Sequence, residues 1–285
     1  FGALKKHKRE AIYTICGNHD RNAPSEPEAH WFRNWIDPMG ENTEVSGVDI
    51  NRFQYPPHGS FERYYVDIAN IRILLMSDVN EASQPQGRGE LGGNPGGVVT
   101  RDTFDWWVDQ VESNHSDKII ITAHHYLLKN TTVATGEWEG MKRDVHGNWS
   151  TDYHGYYPDG TPHAASYLYW VGGKPGSREF ETWLNANPNK VDFWLGGHTH
   201  TNPDDKHGGK GHIEAGYGGV TFVNVSALTR WFVKSHAVPH SRLFTFEDGS
   251  DCAAIECYMH SKDYREQGFY PEKKKEIKLT KPFQI

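Results

Sequence analysis

Three short polar motifs carry residue types that bind metal ions, and each motif follows an apolar run. They are GNHD at 17–20, AHH at 123–125 and GGHTH at 196–200. The runs before them, AIYTIC, DKIIIT and VDFWL, have the length and composition of buried strands. Histidine is the commonest metal ligand among side chains, and an amide oxygen of Asn also binds cations. The motifs therefore predict a metal site built at strand ends.

The placement of the motifs supports this interpretation, because ligands of α/β sheets gather at the carboxyl ends of strands. An H-x-H sequence on an extended segment would also present both imidazoles to one side, since side chains alternate along a strand. That spacing suits two neighbouring ions, or one ion and a bridging group. A single strand-end histidine is usually an ordinary polar residue, but three such strand ends in one chain favour metal binding. The residues expected to converge are Asn18, His19, His124, His125, His198 and His200.

The order of the motifs resembles a known enzyme family. GNHD at 17–20, HH at 124–125 and GHTH at 197–200 are similar to the last three signature blocks of the calcineurin-like metallophosphoesterases. The hairpin-like sequence RYYVDIANIRILLMSD after the first block also matches, and the resemblance covers roughly residues 8–230. It implies an α/β fold of the four-layer α/β/β/α sandwich type. It also implies a dinuclear metal centre that hydrolyses a small-molecule or other phosphoester substrate, either a monoester or a diester.

The resemblance assigns metal ligands to positions of this chain. Asn18, His124 and His198 would bind the second metal ion, and His200 would bind the first. Imidazole and oxygen ligands suit Fe, Mn or Zn better than Mg or Ca. The implied cofactor is therefore a pair of divalent or trivalent transition-metal ions.

The resemblance also assigns catalytic roles. His19 would sit over the substrate phosphate as a proton donor or charge stabiliser, and Asp20 would orient it. The family's histidine block is H-x-P with the first His as ligand, which favours His124. In this chain Tyr126 occupies the third position, so the choice between His124 and His125 stays open.

Two earlier blocks of the family, Asp-x-His and Gly-Asp-x-x-Asp, do not precede Gly17, since the first sixteen residues contain no Asp. They supply most of the first metal's ligands and the bridging carboxylate. The simplest expectation is an N-terminally truncated chain that carries part of the site and binds metal weakly or partially. The alternative is a non-catalytic or degenerate family member that acts as a binding or structural protein.

The remaining sequence predicts the elements that position the motifs. Apolar residues at helical spacing predict helices in SEPEAHWFRNWI (25–36), TRDTFDWWVDQVESN (100–114) and SREFETWLNAN (177–187), with Thr100 as an N-cap. The sequence after residue 219 is mostly strand-like, in GVTFVNVSAL, SRLFTFEDG, CAAIECYMH and KKEIKL. Without an internal repeat or a convincing linker, residues 1–285 are expected to form a single domain.

A long aromatic insert at about residues 127–176 lies between two of the motifs. Loops of this length are usually functional or disordered, and the aromatic content disfavours disorder. Its aromatic residues either form a lid over the site or pack as a small satellite core. They are Trp138, Trp149, Tyr153, Tyr156, Tyr157, Tyr167, Tyr169 and Trp170.

Composition narrows the classes of partner. The net charge is −7 at pH 7, which argues against the basic face that nucleic-acid binding requires. No apolar stretch reaches the length of a membrane span. The three cysteines form no CxxC pair and indicate neither a disulfide framework nor a cysteine zinc site. Long loops rich in Trp, Tyr and Gly lean slightly towards an exported enzyme, whereas oligomeric state is not predicted.

Overall fold

A computed structural model describes most of the chain. The described residues are 6–20, 30–78, 97–136, 142–143, 149–150, 166–172, 174, 176–228 and 237–285. The strands in chain order are β1 (His58–Gly59), β2 (Arg63–Ile68), β3 (Ile71–Met76), β4 (Val98–Val99), β5 (Ile119–His124), β6 (Lys142–Arg143), β7 (Trp149–Ser150), β8 (Trp170–Val171), β9 (Phe193–Gly196), β10 (Ile213–Ala215), β11 (Thr221–Asn224), β12 (His240–Phe246), β13 (Cys252–Met259), β14 (Gly268–Phe269) and β15 (Lys275–Lys278). The α-helices are α1 (Thr43–Ser46), α2 (Arg101–Asn114) and α3 (Glu179–Ala186).

The fold is mixed α/β and is dominated by a seven-stranded sheet with the order β1-β2-β3-β5-β9-β11-β10. The inner strands β3, β5, β9 and β11 are parallel, while β1, β2 and β10 are antiparallel to their neighbours. A second sheet contains β12 to β15. The parallel register pairs Met76 with His124 and Asn224 with Gly196. The carboxyl ends of the inner strands therefore lie along one edge, as the strand-end motifs predict.

Helices cover one face of the large sheet. Helix α2 begins at its predicted N-cap, where the Thr100 hydroxyl accepts a hydrogen bond from the Thr103 amide at 3.2 Å. Trp107 is fully buried and packs against Phe180 of α3 and Trp194 of β9, with ring centroids 5.0 and 6.0 Å apart. Its indole N–H donates to the Thr122 hydroxyl at 2.9 Å. The predicted helices at 100–114 and 177–187 are both confirmed.

The second sheet packs on the opposite face. Phe244 and Phe246 of β12 contact Phe193 of β9, with ring centroids 5.7 and 6.5 Å apart. Alternate residues of β13, including Ala253 and Ile255, are buried in the same cluster. The period-two pattern of CAAIECYMH is the reason, because every second side chain faces the large sheet.

The AIYTIC segment was expected to be a strand of the sheet, and this prediction is wrong. Residues 12–16 are not paired in any β-ladder. Strand β3 already pairs with β2 and β5 on its two sides and has no free edge. Individual contacts hold the segment instead. Tyr64 donates its hydroxyl to the Thr14 carbonyl at 2.7 Å, and the Cys16 carbonyl accepts from the Asp78 amide at 2.8 Å.

Three other predictions have mixed outcomes. The hairpin in RYYVDIANIRILLMSD is confirmed, with Ala69 at a positive φ of 52° in the turn. Of the predicted helix at 25–36, residues 25–29 lie outside the described part, and Phe32–Ile36 form a wide π-helical turn. The sequence NPDDKHGGKGHIEAGYGG (202–219) predicts a polar loop, but strand β10 lies within it.

Candidate metal centre

Side chains from the three sequence motifs meet at the carboxyl edge of the large sheet. Asn18 Oδ1 lies 3.0 Å from His125 Nε2, and His125 Nε2 lies 3.2 Å from His198 Nδ1. Asn18 is 5% exposed, whereas both histidine side chains are partly buried. These three residues are called the motif cluster below. It joins residues that are 107 and 73 positions apart in the sequence.

The spacing of these donor atoms fits a coordination shell. With metal–ligand distances of about 2.1 Å, neighbouring ligand atoms are about 3.0 Å apart in an octahedral shell and about 3.4 Å apart in a tetrahedral one. The two measured separations, 3.0 and 3.2 Å, lie in this range. Two imidazole nitrogens and an amide oxygen form a donor set for a transition metal such as Mn, Fe or Zn. The residues present therefore fit a metal ion.

The structure places His125, rather than His124, in the motif cluster. His124 is the last residue of β5 and His125 follows it, and the two rings have different neighbours. His124 is 1% exposed, and its Nδ1 accepts from the Tyr126 amide at 3.0 Å. Its Nε2 faces the Asp78 carboxylate, 3.9 Å from Oδ1. His125 therefore contacts Asn18 and His198 directly, whereas the choice of His124 as the ligand stays a prediction.

Asp78 is a buried carboxylate to which the sequence analysis gave no role. It is fully buried just beyond the end of β3, and its Oδ1 accepts from the Val98 amide at 2.7 Å. The sequence contained a signal for it, since LLMSD at 74–78 is another apolar run that ends in a polar residue at the same sheet edge. Asp78 helps to fix the side of β5 on which His124 lies.

The GGHTH loop departs from the extended geometry expected for H-x-H. Strand β9 ends at Gly196, and both His198 and His200 have positive φ values, 64° and 32°. Residues other than glycine rarely adopt such values, and they concentrate at functional sites. The alternation of side chains along an extended strand therefore does not determine where the two imidazoles lie. Instead, the Tyr126 ring packs over His198, with centroids 4.0 Å apart.

Contacts with β11 hold this loop in place. Asn224 is fully buried and donates its amide to the Thr199 hydroxyl at 2.6 Å. Ser226 donates its hydroxyl to the Thr201 carbonyl at 2.8 Å. Gly197 has no room for a side chain, because a Cβ there would lie 2.8 Å from the Ser226 carbonyl oxygen. The second glycine of the motif is thus required by close backbone packing.

The GNHD segment forms a tight turn in which Gly17 and Asn18 are buried and His19 and Asp20 are exposed. Asp20 accepts from the Gly17 amide through Oδ2 at 2.8 Å, and its own amide donates to the Gly17 carbonyl at 3.1 Å. These contacts close the turn, and the orientation of His19 by Asp20 stays a prediction. A Cβ at Gly17 would lie 2.9 Å from the His125 ring, so glycine allows the turn to approach that histidine.

The motif cluster lies among several further imidazoles. Burial, and then the proximity of His198, His124, His19 and His200, hold the pKa of His125 well below its usual range. A neutral imidazole presents a lone pair, which is the form that binds metal. Within the described part of the chain, no group of three or more His, Cys, Asp or Glu is arranged to hold a metal. The third donor of the motif cluster is the amide oxygen of Asn18.

The C-terminal part of the aromatic insert lies among the described residues. Tyr167, Tyr169 and Trp170 are buried with Val98 in a small separate cluster, as the satellite-core alternative predicts. The side chains of the other five predicted lid residues, Trp138, Trp149, Tyr153, Tyr156 and Tyr157, lie outside the described part.

Comparison with known proteins adds no family assignment. Neither a scan against protein-family models nor a search of the curated proteins found a match for the chain. No helix among the described residues has the length and apolar character needed to cross a membrane.

Proposed function

We propose that the chain forms part of a metal-dependent phosphoesterase that hydrolyses a phosphomonoester or phosphodiester. The observation that carries this proposal is the convergence of Asn18, His125 and His198, with donor atoms 3.0 and 3.2 Å apart. They come from the three motifs that resemble the metallophosphoesterase blocks, in the order those blocks take. The fold proposed with this function is the four-layer α/β/β/α sandwich, which the packing of helices and a second sheet on opposite faces of the large sheet supports.

In this proposal Asn18, His125 and His198 hold one transition-metal ion, and His200 contributes to a second. When bound, such a pair polarises a phosphoryl oxygen and lowers the pKa of a coordinated water. The donor set favours Mn, Fe or Zn. Because the motif cluster contains no carboxylate, we expect weak affinity, since neutral ligands supply no charge to offset that of the cation.

The remaining roles follow from exposure and position. His19 is exposed on the turn that presents Asn18, and it is close enough to lower the pKa of His125. From there it donates a proton to the leaving oxygen, a general-acid role worth about 10²- to 10⁴-fold in rate. Asp20 holds the turn through the Gly17 amide.

A second candidate function is metal or ligand binding without catalysis. The observation that favours it is the donor set of the motif cluster, two imidazole nitrogens and one amide oxygen, which can hold a single ion without the second ion that hydrolysis uses. A binding protein of this kind would use the motif cluster but would not hydrolyse a phosphoester.

One experiment separates the two candidates. The protein is loaded with Mn and assayed on an aryl phosphodiester and an aryl phosphomonoester, with metal content measured in parallel. The phosphoesterase proposal expects hydrolysis that a chelator abolishes and that His198→Ala removes. His207→Ala is the matched control, because His207 is an exposed loop histidine beside Asp205.

Each outcome selects one interpretation. Metal binding without hydrolysis of either ester would favour the binding protein. No specific metal binding, or equal metal binding by wild type and His198→Ala, would overturn both candidates.

A further inference from the structure

A second group of basic side chains lies between the two sheets, behind the GGHTH loop. His240 and Arg242 alternate along β12 with the same phase as Phe244 and Phe246, which pack against the large sheet. His212 directly precedes β10, and its ring lies 6.0 Å from that of His240, centroid to centroid. His212 and His240 are 6% and 1% exposed. The three residues Arg242, His212 and His240 are called the Arg242 cluster.

Four nitrogen atoms of this cluster are buried without a hydrogen-bond partner among the described residues. They are Arg242 Nε and Nη2, His212 Nδ1 and His240 Nε2. Buried polar groups are nearly always paired, and leaving one unpaired costs about 1–3 kcal/mol. Four such atoms in one place indicate that a ligand supplies the missing partners.

The charge of the cluster selects an anion. Arg242 carries a permanent positive charge, and it forms no ion pair with a described carboxylate at 4 Å or less. The carboxylate of Asp204 affects the pKa of His212, but its oxygens already accept from Tyr264, Tyr270 and Lys273. A metal cation beside the guanidinium would be repelled. The Nε and Nη2 edge of a guanidinium is the fork that binds oxyanions with two parallel hydrogen bonds.

The contacts of the two imidazoles define the remaining donors and acceptors. His240 Nδ1 lies 2.9 Å from the Val238 carbonyl, so Nδ1 carries the hydrogen and Nε2 of the neutral ring is an acceptor. His212 Nε2 lies 3.0 Å from the Thr201 hydroxyl. When that hydroxyl donates to Nε2, His212 Nδ1 carries a hydrogen. The cluster then presents donors at Arg242 Nε, Arg242 Nη2 and His212 Nδ1, and one acceptor at His240 Nε2.

We infer that the Arg242 cluster is a binding site for hydrogen phosphate. Three N–H donors match three phosphate oxygens, and the acceptor on His240 matches the single P–OH group. Sulfate has the same size and shape but has no proton at neutral pH, so it leaves His240 Nε2 facing an oxygen lone pair. The site is therefore expected to prefer phosphate to sulfate.

The position of the cluster connects it to the candidate metal centre without making it part of that centre. The His212 carbonyl accepts from the Asn224 amide at 2.7 Å, and Asn224 in turn holds Thr199. Thr201, the partner of His212, follows His200 directly. The inference does not rest on the proposed phosphoesterase activity, because the Arg242 cluster requires no metal.

The test is titration calorimetry on metal-free wild-type protein in the presence of a chelator, with inorganic phosphate and with sulfate. One phosphate is expected per chain, and sulfate is expected to bind about 10-fold more weakly or worse. Arg242→Met should weaken phosphate binding by at least about 10-fold, since it removes two charge-assisted hydrogen bonds. Arg52→Met is the matched control, because Arg52 is an exposed arginine paired with Asp49. It should bind phosphate like the wild type.

A second variant keeps the test decisive if Arg242→Met does not fold. His240→Leu removes the acceptor and should abolish the preference for phosphate over sulfate, which a purely structural role would leave unchanged. His198→Ala should retain phosphate binding.

Three results would overturn the inference. They are no phosphate binding by the wild type at millimolar concentration, equal affinity in Arg242→Met and Arg52→Met, or loss of binding in His198→Ala with retention in Arg242→Met. The last result would assign the phosphate to the motif cluster.

Discussion

Two groups of histidines lie near the same edge of the large sheet, and they differ in what surrounds their nitrogen atoms. In the motif cluster, donor atoms of Asn18, His125 and His198 approach one another at 3.0 and 3.2 Å, with no fixed charge among them. In the Arg242 cluster, the ring centroids of His212 and His240 lie 6.0 Å apart, compared with 5.1 Å for His125 and His198, and the rings lie beside a guanidinium. Lone pairs that converge favour a cation, whereas N–H groups around a permanent cation favour an anion. Histidine content alone does not distinguish these sites.

The two clusters also differ in the backbone elements that carry them. The motif cluster is carried on loops, with His198 and His200 at positive φ, and glycines allow the close approach of neighbouring segments. The Arg242 cluster is carried on or beside the strands β12 and β10. A site on strands is more rigid than one on loops. We therefore expect the Arg242 cluster to be preformed and the motif cluster to tighten when metal binds.

The largest expected effect separates the two adjacent histidines at the end of β5, His124 and His125. His125→Ala should lower metal affinity by about 100-fold or more, since changes even to groups that only support a metal ligand cost about 10- to 100-fold. His124→Ala removes a ring that packs beside Asp78 and Tyr126, so it should lower stability while changing metal affinity by less than about 10-fold. Competition with a chromophoric chelator measures both affinities, and circular dichroism checks that both variants fold. A greater loss of metal affinity in His124→Ala than in His125→Ala would identify His124 as the ligand.

The sequence predicts some of the elements that carry the motif cluster, but it does not determine which side chains form the cluster. Periodicity and strand-end motifs located β5, β9, α2 and α3, because apolar spacing and capping are local properties. The sequence left His124 and His125 open, since the motif does not show where β5 ends. In the structure His124 is the last paired residue of β5, opposite Met76, and His125 lies just beyond the strand.

The Arg242 cluster was not predicted for a similar physical reason. Its members come from two different sheets, and nothing in the spacing of His212, His240 and Arg242 indicates that they meet. The prediction of a strand in AIYTIC was wrong for the same reason. The sequence shows a strand-like pattern, but it does not show whether a sheet edge is available to pair with it. Both depend on long-range topology rather than on local composition.

A smaller effect tests how the motif cluster is positioned. Gly197→Ala would place a Cβ 2.8 Å from the Ser226 carbonyl oxygen. Because the Ser226 carbonyl belongs to the backbone, the loop must shift to remove this clash. We expect a loss of about 1–3 kcal/mol in the free energy of unfolding. Urea denaturation measures it. Gly136→Ala is the control, since its Cβ would meet only the Asn130 side chain at 3.4 Å. Equal stability of the two variants would show that the loop is not held as tightly as its contacts indicate.

The smallest expected effect is the change in stability per pH unit that His240 of the Arg242 cluster causes in the absence of phosphate and sulfate. Burial, and then Arg242 and His260, lower the pKa of His240 to about 4 in spite of its bond to the Val238 carbonyl. Its pKa in the unfolded chain is about 6.5. Because the folded pKa is lower, the unfolded state binds the extra proton first. The stability contributed by neutral His240 is therefore fully present above about pH 6.5 and is lost as the pH falls towards 4.

His240→Gln isolates this contribution, because the variant has no titrating group at that position. The stability of the wild type relative to His240→Gln should fall by at most about 1.4 kcal/mol per pH unit between pH 6.5 and 4, the slope for one proton. Denaturation of both proteins across this range, in buffers without phosphate or sulfate, provides the measurement. Added phosphate should change the slope, because its P–OH group forms a hydrogen bond to Nε2 of neutral His240. A slope that phosphate leaves unchanged would mean that the anion does not contact this ring, and it would separate His240 from Arg242 in the binding site.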